Sequence, residues 1–122
     1  MITEDYVSFE TAKLLKEKGV NEDSWFHYDA DGDIVTRGYR LNMPEDIPAW
    51  TLQMAMKWLR EKHLIFFDIF HINGDIEDGE EFQIGIYEKT SMDTYTWKNW
   101  IKGETYEKTY EKAIKYCLEK LI

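Results

Sequence analysis

Residues Pro48–His71, PAWTLQMAMKWLREKHLIFFDIFH, change their hydrophobic period partway along. Leu52, Ala55, Met56 and Leu59 recur at the spacing of three and four that lines one side of a helix. Trp50, Met54 and Trp58 form a second row beside them, which makes the apolar face wide enough to pack against two structures. Pro48 suits the first turn, where a missing N–H leaves no helical bond unmade. Lys57, Arg60 and Lys62 sit toward the other end, where positive charge complements the helix dipole. From residue 64 onward, LIFFDIFH is β-branched and aromatic, and Ile65, Phe67 and Ile69 alternate as in a half-buried strand. The stretch predicts a helix running straight into a strand.

The flanking segments fall into place around that junction. Ser8 caps a helix predicted over residues 9–18 and Gly19 stops it, with Phe9, Ala12 and Leu15 (or Leu14) toward the core. SWFHYD (24–29) and IVTRGYR (34–40) read as two strands joined by DADGD (29–33), whose Asp and Gly residues tolerate turn dihedrals. Residues 42–48 form a connector holding both prolines. EFQIGIYEK (81–89) alternates and pairs with 64–71 as a second hairpin around the polar loop 73–80. Thr90–Gly103 has no clean period, so TYTWKN reads as either a short edge strand or an extended loop. Thr105 caps a last helix with Tyr106, Tyr110, Ala113, Ile114, Cys117, Leu118 and Leu121 on one stripe. The expected fold is a single α+β domain over residues 1–122. Three helices cover one face of a four-stranded, mainly antiparallel sheet in the order α-ββ-α-ββ-α.

Composition narrows the function classes. A chain of 122 residues with 43% hydrophobic content can bury a core without metal or disulfide. The net charge of −9 lies in the first two thirds: residues 1–40 hold nine acids to five bases, 41–80 eight to three, and 81–122 seven of each. No basic face for a phosphate backbone is visible, which argues against direct nucleic-acid binding and against docking on an anionic membrane. The acid excess reads as solubility, with a surface that attracts a basic partner or imitates DNA as the alternative. Cys117 is the one cysteine, so neither an internal disulfide nor a cysteine zinc site is possible. No signal-like start and no apolar run of about 18 residues occurs, and a cytoplasmic location is expected.

Candidate chemistry is sparse. His27, His63 and His71 share no helical metal spacing. His27 and His71, with Asp68 and Asp29, build a His/carboxylate site only if the two hairpins pair in register. DADGD begins like a calcium loop, but counting from Asp29 places Ile34 at the sixth position and Arg40 at the twelfth, where Gly and Glu are needed. Asp75, Glu77, Asp78, Glu80 and Glu81 crowd one loop and read as a solvated hairpin tip rather than a cation site. Cys117 lies in the apolar stripe of the last helix and reads as core. No phosphate-cradling glycine motif, nucleophile elbow or catalytic constellation is present, so no catalytic, cofactor or metal residue is assigned. Tyr95, Trp97 and Trp100 are the candidate partner-binding residues, because large aromatics in a polar segment are enriched at interfaces. Their burial in the core is the competing expectation, and the more ordinary one.

ITEDYVSFETAKLLKEKG, LQMAMKWLREKHLIFFDIF and YEKAIKYCLEKLI stand at the start, in the middle and at the end of the chain. In these three phrases it resembles a family of small uncharacterised proteins of phages, prophages and other mobile elements of Bacteroides and related gut bacteria. The resemblance implies a bacterial cytoplasm and a mobile-element setting, and carries over no activity, cofactor or site. The expected function is non-enzymatic: an interaction or regulatory module for a protein partner. A ligand or enzyme site assembled from His27, Asp68 and His71 is the second expectation, and a homo-oligomeric assembly role the third.

Overall fold

The computed structural model describes residues 5–22, 24–36, 47–72 and 79–122. Its elements run α1 (Phe9–Glu17), β1 (Phe26–Tyr28), β2 (Ile34–Thr36), β3 (Ile47–Pro48), α2 (Leu52–His63), β4 (Ile65–His71), β5 (Phe82–Ser91), β6 (Thr94–Gly103) and α3 (Tyr106–Tyr116), which closes in a π-helical turn, Cys117–Leu121. Parts of the expected second strand (37–40), of the connector (42–46) and of the acidic loop (Asp75, Glu77, Asp78) lie outside the described residues.

The helix-to-strand junction takes one residue. Leu64 adopts left-handed backbone (φ 56°, ψ 37°), its N–H bonds back to the Leu59 carbonyl, and β4 starts at Ile65. A left-handed residue closes a helix by satisfying a terminal carbonyl, and a leucine there carries strain that a glycine would not. The Leu64 carbonyl accepts from the Lys89 N–H at 2.9 Å, which ties the junction to β5. Each helix starts on a hydroxyl cap: Ser8 accepts from the Thr11 N–H, Thr51 from Met54, and Thr105 from Lys108.

Three sequence expectations are corrected. Pro48 does not open α2; it lies in β3 opposite His27, and the Thr51 cap sets the helix start three residues later. Residues 94–103 are an edge strand, as one of the two expectations had it, but a ten-residue one paired along β5 rather than a short one. The sheet is not four-stranded. β3 completes one antiparallel sheet in the order β2-β1-β3, and β6 completes another in the order β4-β5-β6. Each hairpin thus takes its third strand from a segment without clear alternation, and the two hairpins do not pair with each other.

Helices α2 and α3 pack on one face of the β4–β5–β6 sheet, and α1 lies against β3 and α3. Ile84 and Ile86 of β5 are fully buried beneath Leu59, Ile114, Cys117 and Leu118 in one core cluster with Leu15 and Trp50. Each such side chain contributes about 1.5–3 kcal/mol by leaving water. The expected stripe is observed on α2 (Leu52, Ala55, Met56, Leu59), and on α3 it holds at Tyr110, Ala113 and Ile114 and continues into the closing turn at Cys117 and Leu118, but Tyr106, expected on the same stripe, is exposed. On α1 the buried set is Thr11, Ala12 and Leu15, while Phe9 is only half-buried and packs on Tyr28 at 5.3 Å. Thr11 is buried because it faces α3: its Oγ1 donates to Glu111 Oε1 at 2.6 Å, and the Ser8 N–H reaches the same oxygen at 3.0 Å.

Candidate functional site

With helices on one face of the β4–β5–β6 sheet, strand alternation decides what the other face presents. The register puts Phe66, Tyr87 and Trp97 in one row across the outer face. Asp68, Gly85 and Trp100 form the next, and Phe70, Gln83 and Lys102 the third. Lys89 and Tyr95 extend the face beyond Tyr87. Six aromatic side chains therefore share one face, and they touch. Phe66 meets Tyr95 edge-on at 5.5 Å, Phe70 meets Trp100 at 5.7 Å, and Trp97 lies 6.1 Å from Trp100. Lys89 Nζ sits 5.9 Å from the Tyr95 ring.

A β-bulge builds this cluster. Trp97 and Trp100 stand three apart, which on a regular strand places them on opposite faces. The register shifts between Ile86 and Tyr87, whose partners are Asn99 and Trp97, so Lys98 is the extra residue on β6. Beyond it, Trp97 and Tyr95 face the same way as Trp100. Lys98 itself pairs with Glu88 at 3.4 Å.

The expected core burial of this segment is overturned. Tyr95, Trp97 and Trp100 are 51%, 49% and 41% exposed, and Phe70 is 46% exposed. Gly85 at the centre lets Trp100 lie flat against the sheet; a Cβ there would stand 2.7 Å from Trp100 Cζ3. Phe66, Phe70 and Tyr87 are the members of the cluster that sequence reasoning left unassigned. Their signal was present, since each sits out of phase with the core-facing Ile65, Phe67, Ile69, Ile84 and Ile86.

The histidine–carboxylate site is not assembled. His27 is buried in β1, whereas Asp68 and His71 are exposed on β4 of the other sheet. His71 lies 3.5 Å from Glu81 Oε2 and stacks edge-on with Phe82. Among the described residues, the one set of His, Cys, Asp or Glu with ligand atoms within 4.8 Å of one another is Asp29, Asp31 and Asp33. There Asp29 Oδ1 accepts the Asp31 and Asp33 N–H groups at 2.9 and 3.0 Å, and Gly32 takes φ +81°, so the DADGD segment is built as a tight turn. Cys117 is fully buried, and burial pushes its thiol up to about 12, which removes it as a nucleophile near neutral pH. Among the described residues no helix is long and apolar enough to cross a membrane.

Comparison with protein-family models, with curated proteins and with solved structures finds no match to this chain.

Proposed function

We propose that this protein is a non-enzymatic interaction module that binds another protein through the outer face of the β4–β5–β6 sheet. The observation that carries the reading is the clustering of Phe70, Tyr95, Trp97 and Trp100 on that face, each 41–51% exposed. Aromatic side chains of roughly 150–250 Å² each, four of them near half exposure, leave about 300–450 Å² of ring surface in water. A patch of that size matches the largest apolar patch that a typical monomer exposes, which is often functional. Its composition also fits: interfaces gather Tyr, Trp and Phe at the centre and ring them with polar groups, here Asp68, Gln83, Lys89 and Lys102. The protein acts, on this reading, in a bacterial cytoplasm and in a phage or mobile-element setting, for which the resemblance of the three phrases is the support.

The test is capture of partners from host lysate by the intact chain and by a Trp97→Ala/Trp100→Ala variant. The variant is expected to keep its circular dichroism spectrum and lose the captured protein. Equal recovery by both removes the face from the account. Sedimentation velocity over a wide concentration range separates a foreign partner from a second copy, because self-association through the face appears as a concentration-dependent coefficient that the variant lacks.

A further inference from the structure

A groove of about 270 Å³ runs between α2, β4 and the first turns of α3, lined by residues that include Gln53, Met56, Arg60, Phe67, Tyr106 and Tyr110. Its origin is simple helix geometry. Gln53, Met56 and Arg60 follow one another at spacings of three and four along α2, and Tyr106 and Tyr110 stand one turn apart on α3. The floor is apolar: Met56 is buried, and Phe67 packs on Tyr110 with ring centroids 6.2 Å apart.

The polar side chains of the groove share one character. Arg60 offers a guanidinium, Gln53 an amide, and Tyr106 and Tyr110 two phenols whose oxygens lie 3.3 Å apart. Among the described residues no carboxylate lines it, in a chain with 24 acids to 15 bases. Arg60 forms no ion pair with a described residue. The neighbouring groove on α2 differs: Glu22 and Glu61 line it beside Lys57 and Lys62, and Lys57 is already 3.9 Å from Glu61. Burial first, then the contact with Tyr106, holds the Tyr110 phenol protonated well above its ordinary range, so it remains a donor at neutral pH.

We propose that this groove binds a small aromatic monocarboxylate, its carboxylate held by Arg60 and the phenols and its ring lying over Met56 and Phe67. A guanidinium matches a carboxylate through two parallel N–H bonds. One cation balances one negative charge. The volume lies just below the 300–1,000 Å³ usual for drug-sized ligands, which limits the body to about one ring. The groove shares Phe66 with the outer-face cluster; Arg60, Gln53 and the two tyrosines that would hold the carboxylate are not part of that cluster.

The test is titration of the intact chain with sodium benzoate, phenyl phosphate and benzyl alcohol, followed by amide chemical shifts. Benzoate is expected to bind with Kd near about 1 mM and to move the amides of residues 53–60 and 106–110. Benzyl alcohol, with the ring but no charge, and phenyl phosphate, with a second charge, are expected to bind more weakly. Arg60→Gln, an exposed position whose loss leaves the core intact, is expected to weaken benzoate at least about tenfold. Shifts confined to other regions, equal binding by Arg60→Gln, or phenyl phosphate binding tighter than benzoate each overturns the proposal.

Discussion

Trp97 and Trp100 stand three residues apart on β6, yet their rings lie on one face with centroids 6.1 Å apart. Lys98, the extra residue of the bulge, makes this possible. Deleting Lys98 leaves Trp97, Asn99 and Trp100 in strict alternation opposite Tyr87, Ile86 and Gly85, so Trp97 and Tyr95 stay on the outer face with no bulge. The expected result is that nuclear Overhauser contacts between the two indoles and partner capture are both retained. Lys98→Ala keeps the residue count and is expected to retain both. Loss of the indole contacts after deletion shows that Lys98 is not the extra residue and removes the bulge from the explanation.

Gly85 and Gly103 are both too crowded for a side chain, but what crowds them differs. At Gly85 a Cβ meets the ends of the Trp100 and Tyr87 rings, at 2.7 and 3.0 Å. The partly exposed Trp100 ring can swing away. Gly85→Ala is therefore expected to unseat Trp100 while changing stability by less than about 1 kcal/mol, since alanine recovers strand propensity. At Gly103 a Cβ would stand 2.4 Å from Thr109 Oγ1 and 3.0 Å from Thr109 Cα. Thr109 is fully buried, and its hydroxyl donates to the Thr105 carbonyl. The backbone of α3 must move, which costs roughly 1–3 kcal/mol. Gly103→Ala is expected to lower Tm by about 5–10 °C, and thermal unfolding of the two variants side by side checks the contrast.

These features mark where the sequence was legible. The helix at 52–63 and the strand at 65–71 were readable because Leu52, Ala55, Met56 and Leu59, then Ile65, Phe67 and Ile69, each keep one period throughout. β6 was not, because the bulge at Lys98 breaks the alternation of TYTWKNW in the middle. Its aromatics also defeat the usual rule that large rings go inside, since both faces of the strand carry apolar residues, with Ile101 inward and Trp100 outward. β3 was not legible because two residues hold no period, and its proline looked like a helix start. The two-sheet arrangement follows from these missed strands. The outer face was half legible: Tyr95, Trp97 and Trp100 were singled out, but Phe66, Phe70 and Tyr87 join them only through the register.

Two polar links join α1 to α3, and they should differ in weight. Lys115 reaches Glu10 at 3.0 Å in water-exposed surroundings, and each group shifts the other, the Glu10 carboxyl downward and the Lys115 ammonium upward. Exposed pairs are screened, so Lys115→Ala is expected to leave Tm unchanged within error. Thr11, fully buried, donates to Glu111 Oε1 at 2.6 Å, and Glu111 Oε2 is itself buried without a hydrogen bond. Thr11→Val keeps the shape and removes the donor, leaving the carboxylate less satisfied, at a cost of about 1–3 kcal/mol. Thr11→Val/Glu111→Leu is expected to cost less than the sum of the two single changes. Additive costs in that cycle exclude the interhelical bond as a source of stability.

Cys117 sets an alkaline limit on the fold. Burial raises its thiol from near 9 to about 12. Between those values an unfolded chain releases a proton that the folded chain keeps, so stability present below pH 9 falls as pH rises through that window and is fully lost above the folded value. The slope for this one group is about 1.4 kcal/mol per pH unit. Tyr28 acts in the same direction, because burial and then the Glu111 charge hold its phenol above the ordinary range. Denaturant unfolding from pH 8 to 11 is expected to show a steady loss of stability. Cys117→Ala removes the thiol titration at the cost of a small cavity, so the variant starts less stable at pH 8 but is expected to lose stability with a shallower slope. A slope identical to that of the parent chain assigns the alkaline loss to the tyrosines instead.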